Sequence, residues 1–246
     1  MRSLNGNPLV NFGKMSGIGL PLARVNHGTK VNVFRQTVLE LQYLPPAAYM
    51  ALLCSGNGIL IEQHEHYTKG SYRNRCHVAG ANGPLRLSIP LVKGKHQQQP
   101  IRDVRIAYHE PWQAQHWQSI KSGYGSAPYF IHYAEFLHPY YIKRYDFLFD
   151  FNWELLQTVI ALLRLPVTLQ LTETYQPAFT KSDILDMREA VHPTAVLPTA
   201  PPYPQVFTER HGFLPHLSVV DLLFCLGPAT LPYLQELNTL MLDHPR

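Results

Sequence analysis

The sequence predicts an α/β protein, with a mainly parallel or mixed central sheet flanked by helices and a helical C-terminal region. Three observations carry that prediction. A tight strand–helix–strand pattern runs from Thr37 to Glu62, further period-two segments follow, and helical patterns close the chain after Leu217.

Thr37-Val38-Leu39-Glu40-Leu41 reads as a buried strand, followed by Gln42-Tyr43-Leu44-Pro45-Pro46. Proline at a first helical turn costs nothing, because that N–H has no intrahelical partner. Ala47 to Leu53 then forms a short apolar helix that stops near Gly56, and Ile59 to Glu62 is a second strand. Elements joined this closely read as the start of a parallel βαβ unit. Leu85 to Ile89 and Val104 to Tyr108 alternate with period two and are expected as strands, with a polar loop from Lys93 to Pro100 between them.

After Pro111 the spacing turns helical. Trp112 with His116, and Ile120 with Tyr124, stand one turn apart. Ser126-Ala127-Pro128 opens another helix, and Asn152 to Leu163 is the clearest helix of the chain; Pro166 ends it and Val167 to Leu171 supplies a strand. Five prolines make 190–204 a long loop. Ser218 caps a helix that Gly227-Pro228 stops, and a last helix covers about 231–240. Without an internal repeat, residues 34–246 are expected as one domain behind a disordered or extended segment, 1–33.

Composition narrows the function classes. At 46% hydrophobic residues the chain has ample material for a core, whereas charged residues make up only 15%, against about 25% in an ordinary domain. The net charge of +4 arises at the N-terminus: residues 1–35 hold five Lys and Arg and no acid, leaving 16 basic against 17 acidic residues, or −1. No clustered basic face is visible, which argues against nucleic acid as a partner. Apolar runs are too short for a membrane span or a signal-peptide core, so the cytoplasm is the expected compartment. Cys54, Cys76 and Cys225 lie far apart, without disulfide or zinc spacing. Glycine-rich phosphate loops, nucleophile elbows, zinc-protease helices and dinucleotide fingerprints are all missing.

The polar candidates are few. His64 and His66 would share one face of a strand, which suits metal ligands, but no third ligand is marked out and an ordinary polar strand end is the stronger reading. Tyr67, Lys69, Arg73, Asn74 and Arg75 form the densest set of anion-binding groups. Arginine pairs bidentately with phosphate or carboxylate, while Tyr and Asn orient it; a solvated basic loop weighs equally. His116 has the chemistry of a proton carrier near neutrality, set against simple packing among large aromatics. Cys54 reads as core. No cofactor is identified.

The order Gln42-x-x-x-Pro46, Tyr72-x-Asn74-Arg75, Leu87-x-Ile89-Pro90, Trp112-x-x-x-His116, Tyr124 and Ala127-Pro128-Tyr129-Phe130 resembles the WbqC-like family. So does the C-terminal series Tyr203-Pro204-Gln205-Val206-Phe207, Gly212-Phe213, Leu217 to Phe224 and Gly227-Pro228. One departure is Glu62-Gln63-His64-Glu65, where family members are commonly Asp-rich. The resemblance implies a role in bacterial surface-polysaccharide biosynthesis, as a transferase moving an acyl or aminoacyl group to a nucleotide-linked amino sugar. On that reading Arg73 and Arg75 hold an anionic group of the nucleotide-sugar, Asn74 orients it and His116 moves a proton. Gln42, Tyr67, Lys69, Asn74, Arg75 and His116 are then expected on one concave surface. The competing reading is a non-catalytic binding or scaffold protein that uses an aromatic helical surface over 112–145. The sequence does not set the oligomeric state.

Overall fold

The computed structural model describes residues 35–56, 58–92, 99–179 and 183–243. The predicted N-terminal segment 1–33 and most of the Lys93–Pro100 loop lie outside these residues. Four strands form a sheet in the order β5-β2-β1-β6: β1 (Gln36–Glu40), β2 (Gly58–Glu62), β5 (Leu169–Leu171) and β6 (Ile184–Asp186). All three pairings are parallel, with Val38 opposite Leu60 and Asp186, and Ile61 opposite Leu171. All four carboxyl ends therefore open at one end of the sheet.

Helix α1 (Ala47–Leu53) joins β1 to β2 and is buried along its whole length. Seven small or apolar side chains make that possible, and helix α7 (Thr230–Asp243) packs against it. The first turn of α1 is tied to α6 (Val219–Leu226): the Ala47 N–H donates to Leu217 O at 3.0 Å, and the Val219 N–H donates to Pro45 O at 2.7 Å. Ser218 caps α6 as its residue type predicts, its hydroxyl accepting from the Val220 N–H. Asp221, in the first turn of α6, is fully buried and accepts from Tyr203 and Gln205. These bonds pin the proline-rich loop to the helix. Residues 190–204 contain no regular element.

The remaining strands differ from the expected single sheet. β3 (Arg75–Gly80) and β4 (Gly83–Ser88) pair antiparallel as a separate hairpin, with Arg75 opposite Ser88 and His77 opposite Arg86. Val104 to Tyr108 alternates as predicted but makes only isolated bridges, Ile106 with Leu91 and Arg105 with Phe147. With no partner of more than one residue on either side among the described residues, it is not a ladder strand there. Helix α2 (Trp112–Tyr124) packs on β3 through Gly123, where a Cβ would stand 2.6 Å from Ala79 O. Helix α3 (Phe130–Leu137) follows, and α4 (Leu148–Leu163) starts four residues before the predicted Asn152, extending its apolar face through Leu148, Phe149 and Phe151. A short helix α5 (Thr208–His211) precedes α6. Of the aromatics of 112–145, Trp112, Tyr124, Tyr141 and Tyr145 are buried and Phe136 is exposed, as are Ile131 and Ile142 on the same segment.

Candidate functional site

The carboxyl ends of the strands bring charge into the interior. Glu40 ends β1 and Glu62 ends β2; the two are opposite in register and at most 1% exposed. The next position beyond β5 is Thr172, whose hydroxyl donates to Glu62 Oε1 at 2.9 Å. Beyond β6, Arg188 reaches back to Glu62 Oε2 at 3.3 Å and also pairs with Asp186. In open α/β sheets this end of the strands is where ligands bind.

Arg73 fixes the second half of the cluster. It is 1% exposed, and its Nε and Nη2 donate to Glu65 Oε1 and Oε2 at 2.7 and 2.6 Å. Nη2 also donates to Glu189 Oε1 at 2.6 Å. Glu189 adopts φ +60°, a rare conformation for a residue with a side chain. Its N–H is held by Glu40 Oε2 at 3.0 Å. Gln42 donates to Glu40 Oε1 and to Val191 O, at 2.5 and 2.8 Å. Glu65 and Glu189 thus share one guanidinium, whose charge also acts on Glu40. Burial raises the Glu40 carboxyl, against the pull of Arg73. Burial likewise lifts Glu65 to about 7; Arg73 opposes the shift, while Glu40 and Glu189 add to it.

A second, basic face lies on the hairpin. Arg75 and His77 project from the same side of β3, opposite the buried Cys76 and Val78. Arg86 faces His77 across the ladder. Among the described residues neither Arg75 nor Arg86 meets a carboxylate, and the Arg75 Nε is buried without a partner. Burial lowers the His77 pKa, and the charges of Arg86 and Arg75 lower it further. The ring of Tyr72 meets His77 edge-on, with centroids 5.8 Å apart. Between the two faces, Tyr67 donates to Asn74 Oδ1 at 2.9 Å, and Asn74 donates to Ile89 O at 2.9 Å. Tyr67 is raised by burial, an effect that Arg75 and Arg73 partly offset. Lys69 is exposed on the loop before β3.

The expected site residues thus fall into three places. Gln42 and Arg73 belong to the acidic cluster, where Arg73 neutralises carboxylates with three of its N–H directions. Tyr67, Lys69, Asn74 and Arg75 lie on the loop before the hairpin and at the start of β3, with Tyr67 and Asn74 buried and Lys69 exposed. His116 is buried among aromatic rings beneath the hairpin: its Nδ1 is 3.0 Å from the Tyr43 hydroxyl, its ring packs against Trp112 at 5.1 Å, and it is 5% exposed. Burial lowers its pKa to about 4, only partly opposed by a bond to the Ser88 backbone. Gln42 and Tyr43 are neighbours in sequence, but one contacts the acid cluster and the other the aromatic cluster, so the chain alternation separates them. The residues sequence reasoning missed are Glu40, Glu62, Glu65, Asp186, Arg188 and Glu189. The available signal was an acid closing each of two apolar strands. His64 contacts Thr172 O at 3.1 Å, and no group of three or more His, Cys, Asp or Glu among the described residues is arranged to hold a metal.

Next to Glu189 a cavity of about 340 Å³ opens between the segment after β6 and Met241 of α7. Its wall runs from Met187 to Pro198 along the proline-rich loop. Among the described residues no helix is long and apolar enough to cross a membrane.

Comparison with known proteins adds the kinship. The uncharacterized protein Rv1507c of Mycobacterium tuberculosis is 26% identical over 224 residues, spanning 80% of this chain and 96% of its own. No solved structure matches. A model of the WbqC-like protein family matches residues 41–199, a stretch that holds the hairpin, the cavity wall except Met241, and every group of the acidic cluster except Glu40. Because that match covers more than half of the 246 residues, the chain belongs to the WbqC-like protein family.

Proposed function

We propose that this protein is a transferase of bacterial surface-polysaccharide biosynthesis that moves an acyl or aminoacyl group onto the amine of a nucleotide-linked amino sugar. The observation that carries the reading is the placement of two opposite charge environments on either side of Tyr67 and Asn74. Among the described residues Arg75 and Arg86 stand without carboxylate partners on the hairpin, and Glu40, Glu65 and Glu189 crowd around Arg73 at the carboxyl end of the sheet. A sugar nucleotide bearing an amine has the same polarity, a diphosphate at one end and an ammonium at the other.

In this reading Arg75, with Lys69 and Arg86, holds the diphosphate through charge-assisted hydrogen bonds. Tyr67 and Asn74 orient it. The acidic cluster receives the ammonium and, with Glu65 lifted to about 7, takes its proton at neutral pH. The freed amine attacks the acyl carbon of an activated donor, the new C–N bond forms, and the donor's leaving group departs with its bonding electrons and with the second proton that the nitrogen sheds. Gln42 and Arg73 keep the carboxylates in place. His116, engaged by Tyr43 and the Ser88 backbone, supports the hairpin from below and does not relay the amine's proton.

Calorimetric titration of the full chain with uridine and thymidine diphosphate amino sugars tests the proposal, with the matching non-amino sugars and free nucleotides as references. Amino-sugar nucleotides are expected to bind more tightly than both references. Absence of heat across the whole set overturns the reading.

A further inference from the structure

The outer face of the hairpin holds one titratable group that the proposed reaction leaves unused. His77 stands between Arg75, two residues earlier on the same side of β3, and Arg86, its partner across the ladder. We propose that His77 is a third ligand of the anion held on this face, and that it takes up a proton as the anion binds. The inference rests on the proposed function only in taking the hairpin as the diphosphate end of the site.

The donors of this face are open. Neither ring nitrogen of His77 is bonded among the described residues, and neither is sealed from solvent although the residue is half-buried. Both Nη atoms of Arg75 are likewise unbonded and reachable there; only its Nε is sealed off. The exposed Arg86 guanidinium is unbonded as well. Alternate residues on a strand stand about 7 Å apart and directly paired ones about 5 Å. A diphosphate, with two sets of oxygens, spans both distances.

Nothing in the chain nearby offsets this charge. From His66 to Arg102 the sequence has no Asp or Glu, against seven Lys and Arg. Of these, Arg73 is taken by Glu65 and Glu189. No ion pair among the described residues reaches Arg75, His77 or Arg86. Like charges facing each other across a ladder destabilise it. An anion relieves that repulsion, whereas a neutral or cationic ligand does not.

The surroundings keep His77 neutral until the anion arrives. Burial lowers its pKa, and the charges of Arg86 and Arg75 lower it further. Helices α2 and α6 pack against β3, and none of their titratable groups compensates. His116 is engaged by Tyr43, Lys121 is exposed, and the Tyr124 hydroxyl accepts from the Ala79 N–H. Asp221 is held by Tyr203 and Gln205, and burial keeps Cys225 a thiol. Tyr72 offers only its ring, and Arg210 and His211 of α5 meet the hairpin at Ala81 O in the turn. An anion between the guanidiniums cancels their field at the imidazole. The proton that His77 then takes from water adds a second N–H donor to the ring.

The test uses the full chain and uridine diphosphate glucose, whose diphosphate keeps its charge across the neutral range. Ring-carbon spectra of histidine-labelled protein give the titration midpoint of His77 with and without the nucleotide. That midpoint is expected to rise by about one pH unit or more on binding, while those of the exposed His109 and His132 stay in place. Calorimetry should show binding tightening about tenfold as pH falls through the same interval. His77→Gln should remove this dependence, and His77→Arg, charged at every pH, should bind tightly without it. An unmoved His77 midpoint in the complex, an equal pH dependence in His77→Gln, or no binding of the nucleotide overturns the inference. A raised midpoint with no preference for amino-sugar nucleotides removes the transferase and keeps the proton-coupled anion site. Preferred binding of amino sugars with His77 unmoved does the reverse.

Discussion

Glu40 and Glu62 stand opposite each other in register on the two central strands, both buried and each held by a different set of donors. Two carboxylates on neighbouring parallel strands repel in a low dielectric, so the donors around them are a condition of the fold. Glu40 relies on Gln42 and the Glu189 N–H. Glu62 relies on Thr172, the His64 N–H and Arg188.

Removal of Arg73 should therefore be costly. Arg73→Ala leaves Glu65 and Glu189 without their shared cation, and breaking a buried pair from one side costs about 3–5 kcal/mol. Adding Glu65→Gln to that variant removes one of the stranded charges. The double variant should unfold at a higher denaturant concentration than Arg73→Ala alone. Equal or lower stability of the double variant would show that Glu65 is not destabilised by the loss of its partner.

The pH dependence of stability follows from two groups with opposite signs. Glu65 is raised from 4.5 to about 7 in the folded protein. A raised carboxyl keeps a proton that the unfolded chain has released, so its stabilising contribution is full below about 4.5 and is lost as pH rises through about 7. Glu65→Gln should remove a decline in melting temperature across that interval. A slope identical to that of the unsubstituted protein would mean that Glu65 does not titrate there.

His116 acts in the other direction. Burial lowers it from 6.5 to about 4, so its contribution is full above about 6.5 and is lost as pH falls towards about 4. His116→Gln should flatten the acid side of the stability profile. The same variant should leave sugar-nucleotide turnover within a few-fold once the fold is intact. A large loss of kcat with unchanged KM would instead assign the proton to His116.

How much of this was legible depends on which interactions are local. The β1–α1–β2 unit could be read because Pro45, Pro46 and a run of small apolar residues leave the chain little choice over Thr37–Glu62. Val104–Tyr108 misled because alternation reports a half-buried extended segment, and only the tertiary fold decides whether a ladder partner exists. β6 was invisible: three residues, Ile184 to Asp186, are too few to show a period. Arg73 and Arg75 look alike in sequence, two residues apart in one basic loop. The difference is that Glu65 and Glu189, eight and 116 positions away, meet only Arg73. The acid cluster is a product of long-range register, which a local pattern does not encode.

Gly123 should tolerate no side chain. A Cβ there would lie 2.6 Å from the Ala79 carbonyl oxygen, and both sides of the contact are backbone. Alanine favours a helix by about 1 kcal/mol over glycine, but overpacking of this kind costs about 1–3 kcal/mol. The clash should win, because α2 can relieve it only by moving off β3. Gly123→Ala is expected to lower the melting temperature, and an increase would show that the hairpin yields freely.

Arg75 offers the sharpest contrast with Arg73. It lies on the outer face of β3 without a carboxylate among the described residues, and its Nε is buried and unpartnered. Removing it strands no charge, so Arg75→Ala should leave the melting temperature nearly unchanged. If it holds the diphosphate, the same substitution removes a charge-assisted contact of about 1.5–3 kcal/mol, which is about tenfold or more in affinity. Arg86→Ala, across the ladder and more exposed, should weaken binding less, and the two losses should be less than additive because both arginines address one anion. Calorimetry on the three variants measures this directly. Unchanged affinity in Arg75→Ala, with the fold intact, would remove the hairpin from the site and leave the acid cluster without its anionic counterpart.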